Sequence, residues 1–317
     1  MANLCKSRLL FLLLVEVFTV TADYDLTILH TGDVRCYFEE VNLDYDPCTI
    51  EDVERNECFG GWARLDTIVN HYRDIKDNVL LLDVGNQFHG TLWFNVYQHQ
   101  ATSYFMNRTS YDFMALGSHE FDLKPSGLVP FLDDADFPVL SCNIDDTNEP
   151  IMQNKYDEYQ EITLNGHRIG IVGFSYWNSA ETSNTGELLF HDEVEYVKTA
   201  VEALKDTGVD KIIVMGRSTY QIHKRIAEEV PGVDIVIGGD INEFLYTGKT
   251  PPSVEDPTQD YPVVVEPTYD DSKNVLLVQA YWAGKYVGQL DVTFDDAGNV
   301  KNWDGNPILL DNQIKEG

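Results

Sequence analysis

The chain is 317 residues long, with 22 Lys and Arg against 53 Asp and Glu, a formal net charge of −31. At 43% hydrophobic residues it is too apolar for a disordered chain and long enough to bury a large core. So strong an acidic excess excludes nucleic acid and anionic membrane as partners, because no surplus of Lys and Arg exists to neutralise phosphates.

Lys6 and Arg8 precede an apolar run over residues 9–15, and Val20-Thr21-Ala22 offers small residues for cleavage. Residues 1–22 therefore read as a secretory signal peptide. No later apolar run is long enough to span a bilayer, so the expected product is a secreted, extracellular protein of residues 23–317. Cys5 leaves with the leader, and Cys36, Cys48, Cys58 and Cys142 remain. Two disulfides are then allowed, in three connectivities. Cys48 and Cys58 bracket a polar, acidic loop and are the easiest pair; Cys36 with Cys142 would follow by elimination. Asn107-Arg108-Thr109 is a sequon, which makes Asn107 a candidate glycan site in that compartment.

Strands and helices alternate along the rest. Residues 26–30 predict a strand ending in Thr31-Gly32-Asp33, and Trp62, Leu65, Ile68, Val69 and Tyr72 fall at helical spacing. Strands are expected at 79–83, 111–116 and 138–141. Asn165-Gly166 between 159–164 and 167–172 is a two-residue hairpin signal. Val194, Val197, Val201 and Leu204 make an amphipathic helix that Gly208 can end. Further strands are expected at 211–215, 234–237, 274–280, 286–294 and 300–303, with a Pro- and Asp-rich excursion at 250–271. No composition break divides the chain, which predicts one domain. Polar residues follow the buried strands at Asp33, at 83–86, at Ser118-His119, at Arg217-Ser218 and at Asp240. Ligands of α/β sheets bind at the carboxyl ends of strands, so these tips, expected on consecutive strands of one sheet, should converge on one cleft.

At those tips the sequence resembles the 5′-nucleotidase/apyrase family of secreted metallophosphoesterases. The segments are Leu26-Thr27-Ile28-Leu29-His30-Thr31-Gly32-Asp33, Leu81-Leu82-Asp83-Val84-Gly85-Asn86-Gln87, and Ala115-Leu116-Gly117-Ser118-His119-Glu120-Phe121-Asp122. Gly238-Gly239-Asp240-Ile241-Asn242 and Gly305-Asn306-Pro307-Ile308-Leu309-Leu310 extend the likeness. It implies an α/β fold of calcineurin-like type, a four-layer sandwich of two β-sheets flanked by helices. It also implies a site for two divalent metal ions, built from carboxylates and neutral imidazoles, and a His–Asp dyad serving the phosphoryl group.

Against the family's pattern this chain departs at most ligand positions. Asp33 stands where the family has Asp, but Arg35 replaces its paired His, Asn86 the bridging Asp, Ser118 an Asn, Arg217 one distal His and Asp240 the other; Asn242 fits a family variant. The dyad positions are His119 and Asp122. Arginine stays protonated and offers no lone pair. A guanidinium about 4 Å from a dication would be repelled by roughly 8 kcal/mol at an effective dielectric near 20. The expectation is therefore a site without metal cofactors and without catalysis, in which Arg35 and Arg217 pair with Asp33 and Asp240 and His119 and Asp122 persist as relics. A weaker variant makes the two arginines an anion site for a phosphate. Family enzymes continue into a nucleotide-binding domain that is expected to be absent here. The resulting functional expectation is a secreted, non-catalytic binder, similar to the chrysoptin-like salivary platelet-aggregation inhibitors of blood-feeding insects. Its partner would be a host protein such as a platelet receptor, and nucleotide binding would be weak. The alternative is a metal-dependent hydrolase of extracellular nucleotides with an altered site.

Overall fold

The computed structural model describes residues 23–316, so the leader expected over 1–22 lies outside the described residues. Strand β1 (Tyr24–Thr31) sends Leu26 and Ile28 into one core and Leu29 into another. Strand β2 (Val79–Asp83) repeats this, with Leu80 and Leu82 on one side and Leu81 on the other. Side chains alternate along a strand, so an unbroken apolar run is what a sheet covered on both faces requires. Strands β3 (Phe113–Ala115) and β4 (Val139–Leu140) extend the sheet in parallel.

The second sheet opens with β5 (Tyr159–Leu164) and β6 (His167–Phe174), joined through Asn165 and Gly166 at φ of 46° and 85°. Both positive values suit the two-residue turn that the dipeptide predicts. It continues through β7 (Ile212–Arg217), β8 (Ile235–Gly239), β9 (Val263–Val265) and β10 (Val275–Gln279). The chain then returns to the first sheet with β11 (Tyr286–Phe294) and β12 (Val300–Leu309). The strand orders are β12-β11-β1-β2-β3-β4 and β9-β10-β8-β7-β6-β5. The last strand is longer than the expected 300–303, because β12 pairs with β11 all the way from Val300 to Leu309.

Three cores separate four layers, as the resemblance implies. Helices α1 (Ile50–Arg55), α2 (Trp62–Ile75), α3 (Leu92–Tyr97), α4 (His99–Thr109) and α5 (Lys124–Asp134) lie along the chain between strands of the first sheet. Trp62, Leu65 and Val69 of α2, Met106 of α4 and Phe131 of α5 share a core with Leu29, Leu81 and Met114. Between the sheets, Ile28 and Leu82 meet Ile213, Met215 and Ile237. On the outer face of the second sheet, α6 (Glu193–Asp206) and α7 (Tyr220–Glu229) bury Val197, Val201 and Ile226 against Val214 and Val236. Asp192 caps α6 by accepting from the Glu195 N–H at 3.0 Å, which satisfies one of the unpaired donors of its first turn.

Cys48 and Cys58 form a disulfide. Cys36 and Cys142 do not pair, contrary to the expectation by elimination: both are free and buried, one in the core under α2 and the other in the core under α6. The sequon lies at the end of α4. There Asn107 Nδ2 donates to the Asp134 carbonyl at 2.7 Å and Oδ1 accepts from the Asp136 N–H at 2.9 Å. The Pro- and Asp-rich excursion contains β9, and its buried Glu255 carboxylate is held by Lys285 and the Tyr286 hydroxyl at the start of β11.

Candidate active site

Three of the polar tips come from the first sheet and two from the second. The expectation of a single sheet is thus corrected: β1, β2 and β3 deliver Asp33, Asn86 and Ser118-His119, while β7 and β8 of the other sheet deliver Arg217 and Asp240. Glycine allows the second sheet to come close. A Cβ on Gly239 would stand 2.9 Å from Val84 Cγ2 and 3.4 Å from Asp33 Oδ2; on the other face, one on Gly238 would stand 2.5 Å from the ring of His223 in α7.

Asp33 is the centre, with no exposure to solvent. Its Oδ1 accepts from Asn86 Nδ2 at 2.8 Å and from Arg35 Nε and Nη2 at 3.1 and 3.0 Å. Its Oδ2 faces Arg217 Nε at 3.6 Å, an ion pair without a hydrogen bond. Both arginines therefore converge on one carboxylate. Asp240 is not the partner of Arg217: its oxygens accept from the Tyr220 N–H at 3.2 Å and from the Asn242 N–H and Nδ2 at 3.1 and 2.9 Å. Asp33, Arg35 and Asn86 hold φ of 50°, 52° and 57°. Left-handed backbone at residues other than glycine is held only where its surroundings over-determine it. Here the Asp33 N–H donates to the Gly85 carbonyl at 2.9 Å and the Arg35 N–H to the Asn86 carbonyl at 3.1 Å.

Asn86 also reaches the third tip, its Oδ1 accepting from the His119 N–H at 2.9 Å. His119 Nδ1 lies 2.9 Å from Asp122 Oδ2, and Ser183 donates to the other carboxylate oxygen. Burial works against the charge on Asp122, but the hydrogen bonds from His119 and Ser183 outweigh it and hold its pKa below the usual value. The dyad expected at His119 and Asp122 is thus assembled. Ser118 is buried beside it, whereas Ser218 turns away to donate to Glu193 at 2.9 Å.

Sequence reasoning missed two participants. His89 stacks on His119, with ring centroids 5.4 Å apart and planes 9° from parallel, and its Nδ1 lies 3.4 Å from Asp122 Oδ2. A lone imidazole in a loop carries no periodic or spacing signal that would have found it. Glu120 is wholly buried and accepts from four backbone N–H groups, those of Asn86 at 2.9 Å, Gln87 at 2.6 Å, Phe88 at 3.3 Å and Gly117 at 2.7 Å. Burial raises its pKa in spite of those donors. It ties the second tip to the third, and its place inside the Ser118-to-Asp122 segment was the available signal.

The profile of the calcineurin-like phosphoesterase family matches residues 26–244. The chain belongs to that family. It is 44% identical over 298 residues to a 5′-nucleotidase of Bos taurus, covering 92% of this chain and 50% of the bovine protein. A snake venom 5′-nucleotidase of Naja atra is likewise 44% identical over 298 residues, covering 92% of this chain and 55% of the venom protein. The crystal structure of a 5′-nucleotidase precursor from Thermus thermophilus superposes with a TM-score of 0.84 at 36% identity, covering 92% of this chain and 55% of that one. This chain spans about half the length of these relatives.

These similarities correct two expectations. A non-enzyme and a site with no metal cofactor were read from the lost ligands; the relatives at 44% identity are nucleotidases, within a family of metal-dependent phosphoesterases. The finer expectation, a salivary platelet antagonist, has no counterpart among them. The residues present do not, however, fit a pair of ions arranged as the resemblance implies. Arg35 and Arg217 have no lone pair to give, and Arg35 and Asn86 already donate to Oδ1 of Asp33. The two arginines are where this chain departs from the pattern that the resemblance implies.

Proposed function

We propose that this protein is an extracellular nucleotide phosphoesterase with an altered site, in which Arg35 and Arg217 hold the phosphoryl group and His119 serves it. The observation that carries the reading is the intact His119–Asp122 pair at 2.9 Å, linked through Asn86 to Asp33 and both arginines. Two guanidiniums share the Asp33 carboxylate there. The guanidinium of Arg217 makes no hydrogen bond among the described residues; its Nε is buried against Asp33, so the two Nη groups are the donors it has left for phosphoryl oxygens. With Nδ1 of His119 held by Asp122, Nε2 is the atom that can pass a proton to a leaving oxygen. His89, stacked against the same ring, limits how the imidazole can swing. The nucleotidase relatives support a nucleoside phosphate as substrate, and the leader read in residues 1–22 supports an extracellular site of action.

Release of inorganic phosphate from AMP, ADP and ATP tests this, with purified protein in the presence of magnesium, manganese or zinc and after chelation. The expected result is turnover that falls by about 10²–10⁴-fold in His119→Ala, the usual worth of a positioned acid or base. Phosphate release equal in wild type and His119→Ala, or none under any of these conditions, overturns the proposal.

A further inference from the structure

Beside the cleft lies a second cavity, of about 480 Å³, between the segment that follows Cys36 and the start of α3. Gly90 lines it and also packs on the backbone of Arg35, so the two sites adjoin. Its walls carry five aromatic rings, those of Tyr37, Phe38, Tyr45, Trp93 and Tyr97, and the carboxylates of Glu39 and Asp46 among others. The volume falls within the range of small-molecule sites. Tyr97 keeps half its surface exposed, which leaves ring area for an occupant.

Charge decides what that occupant is. A third carboxylate in the lining, Glu40, is neutralised by Arg64. Glu39 and Asp46 have no ion-pair partner among the described residues, and no Lys or Arg lines the cavity. Aromatic faces attract cations, and acids without counter-ions do the same at longer range, in the field of a chain with net charge −31. A neutral ring would use the walls and ignore the acids. An anion would be repelled by both.

We infer that this cavity binds a small organic cation with an aromatic body, of the arylalkylamine class. The inference stands apart from the phosphoesterase reading, since it uses none of the residues of that site.

Isothermal titration with tryptamine, neutral indole and indole-3-acetate separates the possibilities, since the three share a ring and differ in charge. Saturable one-to-one binding of tryptamine is expected, with indole weaker and indole-3-acetate silent. Trp93→Ala and the double variant Glu39→Gln/Asp46→Asn should each weaken tryptamine by about tenfold or more, corresponding to roughly 1.4 kcal/mol. His119→Ala should bind it as wild type does, whatever the outcome for phosphate release. Equal binding of indole-3-acetate, no binding of tryptamine, or variants that bind unchanged would overturn the inference. So would concentration-dependent self-association abolished by Trp93→Ala, which would give this face to a second copy of the chain.

Discussion

Asp33 carries more of the cleft than any other residue. It is fully buried and is the carboxylate that Arg35, Arg217 and Asn86 all address. Removing one member of a buried ion pair costs far more than replacing the pair, because the other member keeps its charge and loses its solvent. Asp33→Ala leaves two guanidiniums facing each other with no counter-charge between them. The expected loss is about 3–5 kcal/mol in urea unfolding. Arg217→Met should cost much less, since Asp33 keeps the two hydrogen bonds from Arg35 and the one from Asn86. Similar losses in the two variants would show that the cluster is not organised around Asp33.

At the scale of elements, what could be read in the sequence was set by burial. Strands β1, β2, β7 and β8 were legible because they are apolar on both faces, and α6 because one face alone is. The far half of β12 was not, because Asp304, Asn306 and Pro307 read as loop until β11 supplies a partner for them. Asp33, Asn86, His119 and Asp122 were legible from local motifs. The partner of Arg217 was not, because it depends on how the edges of two separate sheets face each other.

Two histidines locked into these elements give the fold a dependence on pH. His30 of β1 is buried, its Nε2 2.8 Å from the Tyr261 hydroxyl, and burial pushes its pKa down to about 3. His223 of α7 is buried with Nε2 3.1 Å from the Gly216 carbonyl, and burial pushes it down to about 4, against the charge of Asp240. Both titrate near 6.5 when unfolded. Above that value both states hold the rings neutral and the folded packing is fully effective. As pH falls below it the unfolded chain takes up protons that the fold cannot, so stability drops by about 1.4 kcal/mol per pH unit for each group. The drop should continue to about pH 4 for His223 and about pH 3 for His30. His223→Gln can keep a donor to the Gly216 carbonyl without titrating, so its unfolding free energy should fall less steeply between pH 6.5 and 4. A slope equal to that of wild type would show that His223 takes up its proton in the folded state.

The whole molecule presents a conflict of fields. Its net charge of −31 would repel a nucleotide at a distance, while on the proposed reading Arg35 and Arg217 attract the phosphate once it has reached the cleft. The two act over different ranges. At about 0.01 M ionic strength the Debye length is roughly 30 Å, comparable with a domain, and at 0.15 M it is about 8 Å. Added salt therefore removes the long-range repulsion first and leaves the contact within the cleft much less screened. For a basic binding protein, salt slows the arrival of an anion; here the sign reverses. Stopped-flow measurement of AMP association in a chelator-containing buffer should show the rate constant rising by a few fold from about 0.01 to 0.15 M sodium chloride. Arg35→Gln should lower affinity at every salt concentration while keeping the upward slope, because it weakens the local field and leaves the global one almost unchanged. A rate that falls with salt would mean that the cleft's positive charge already governs the approach, and the acidic surface would then have no part in setting how fast a nucleotide arrives.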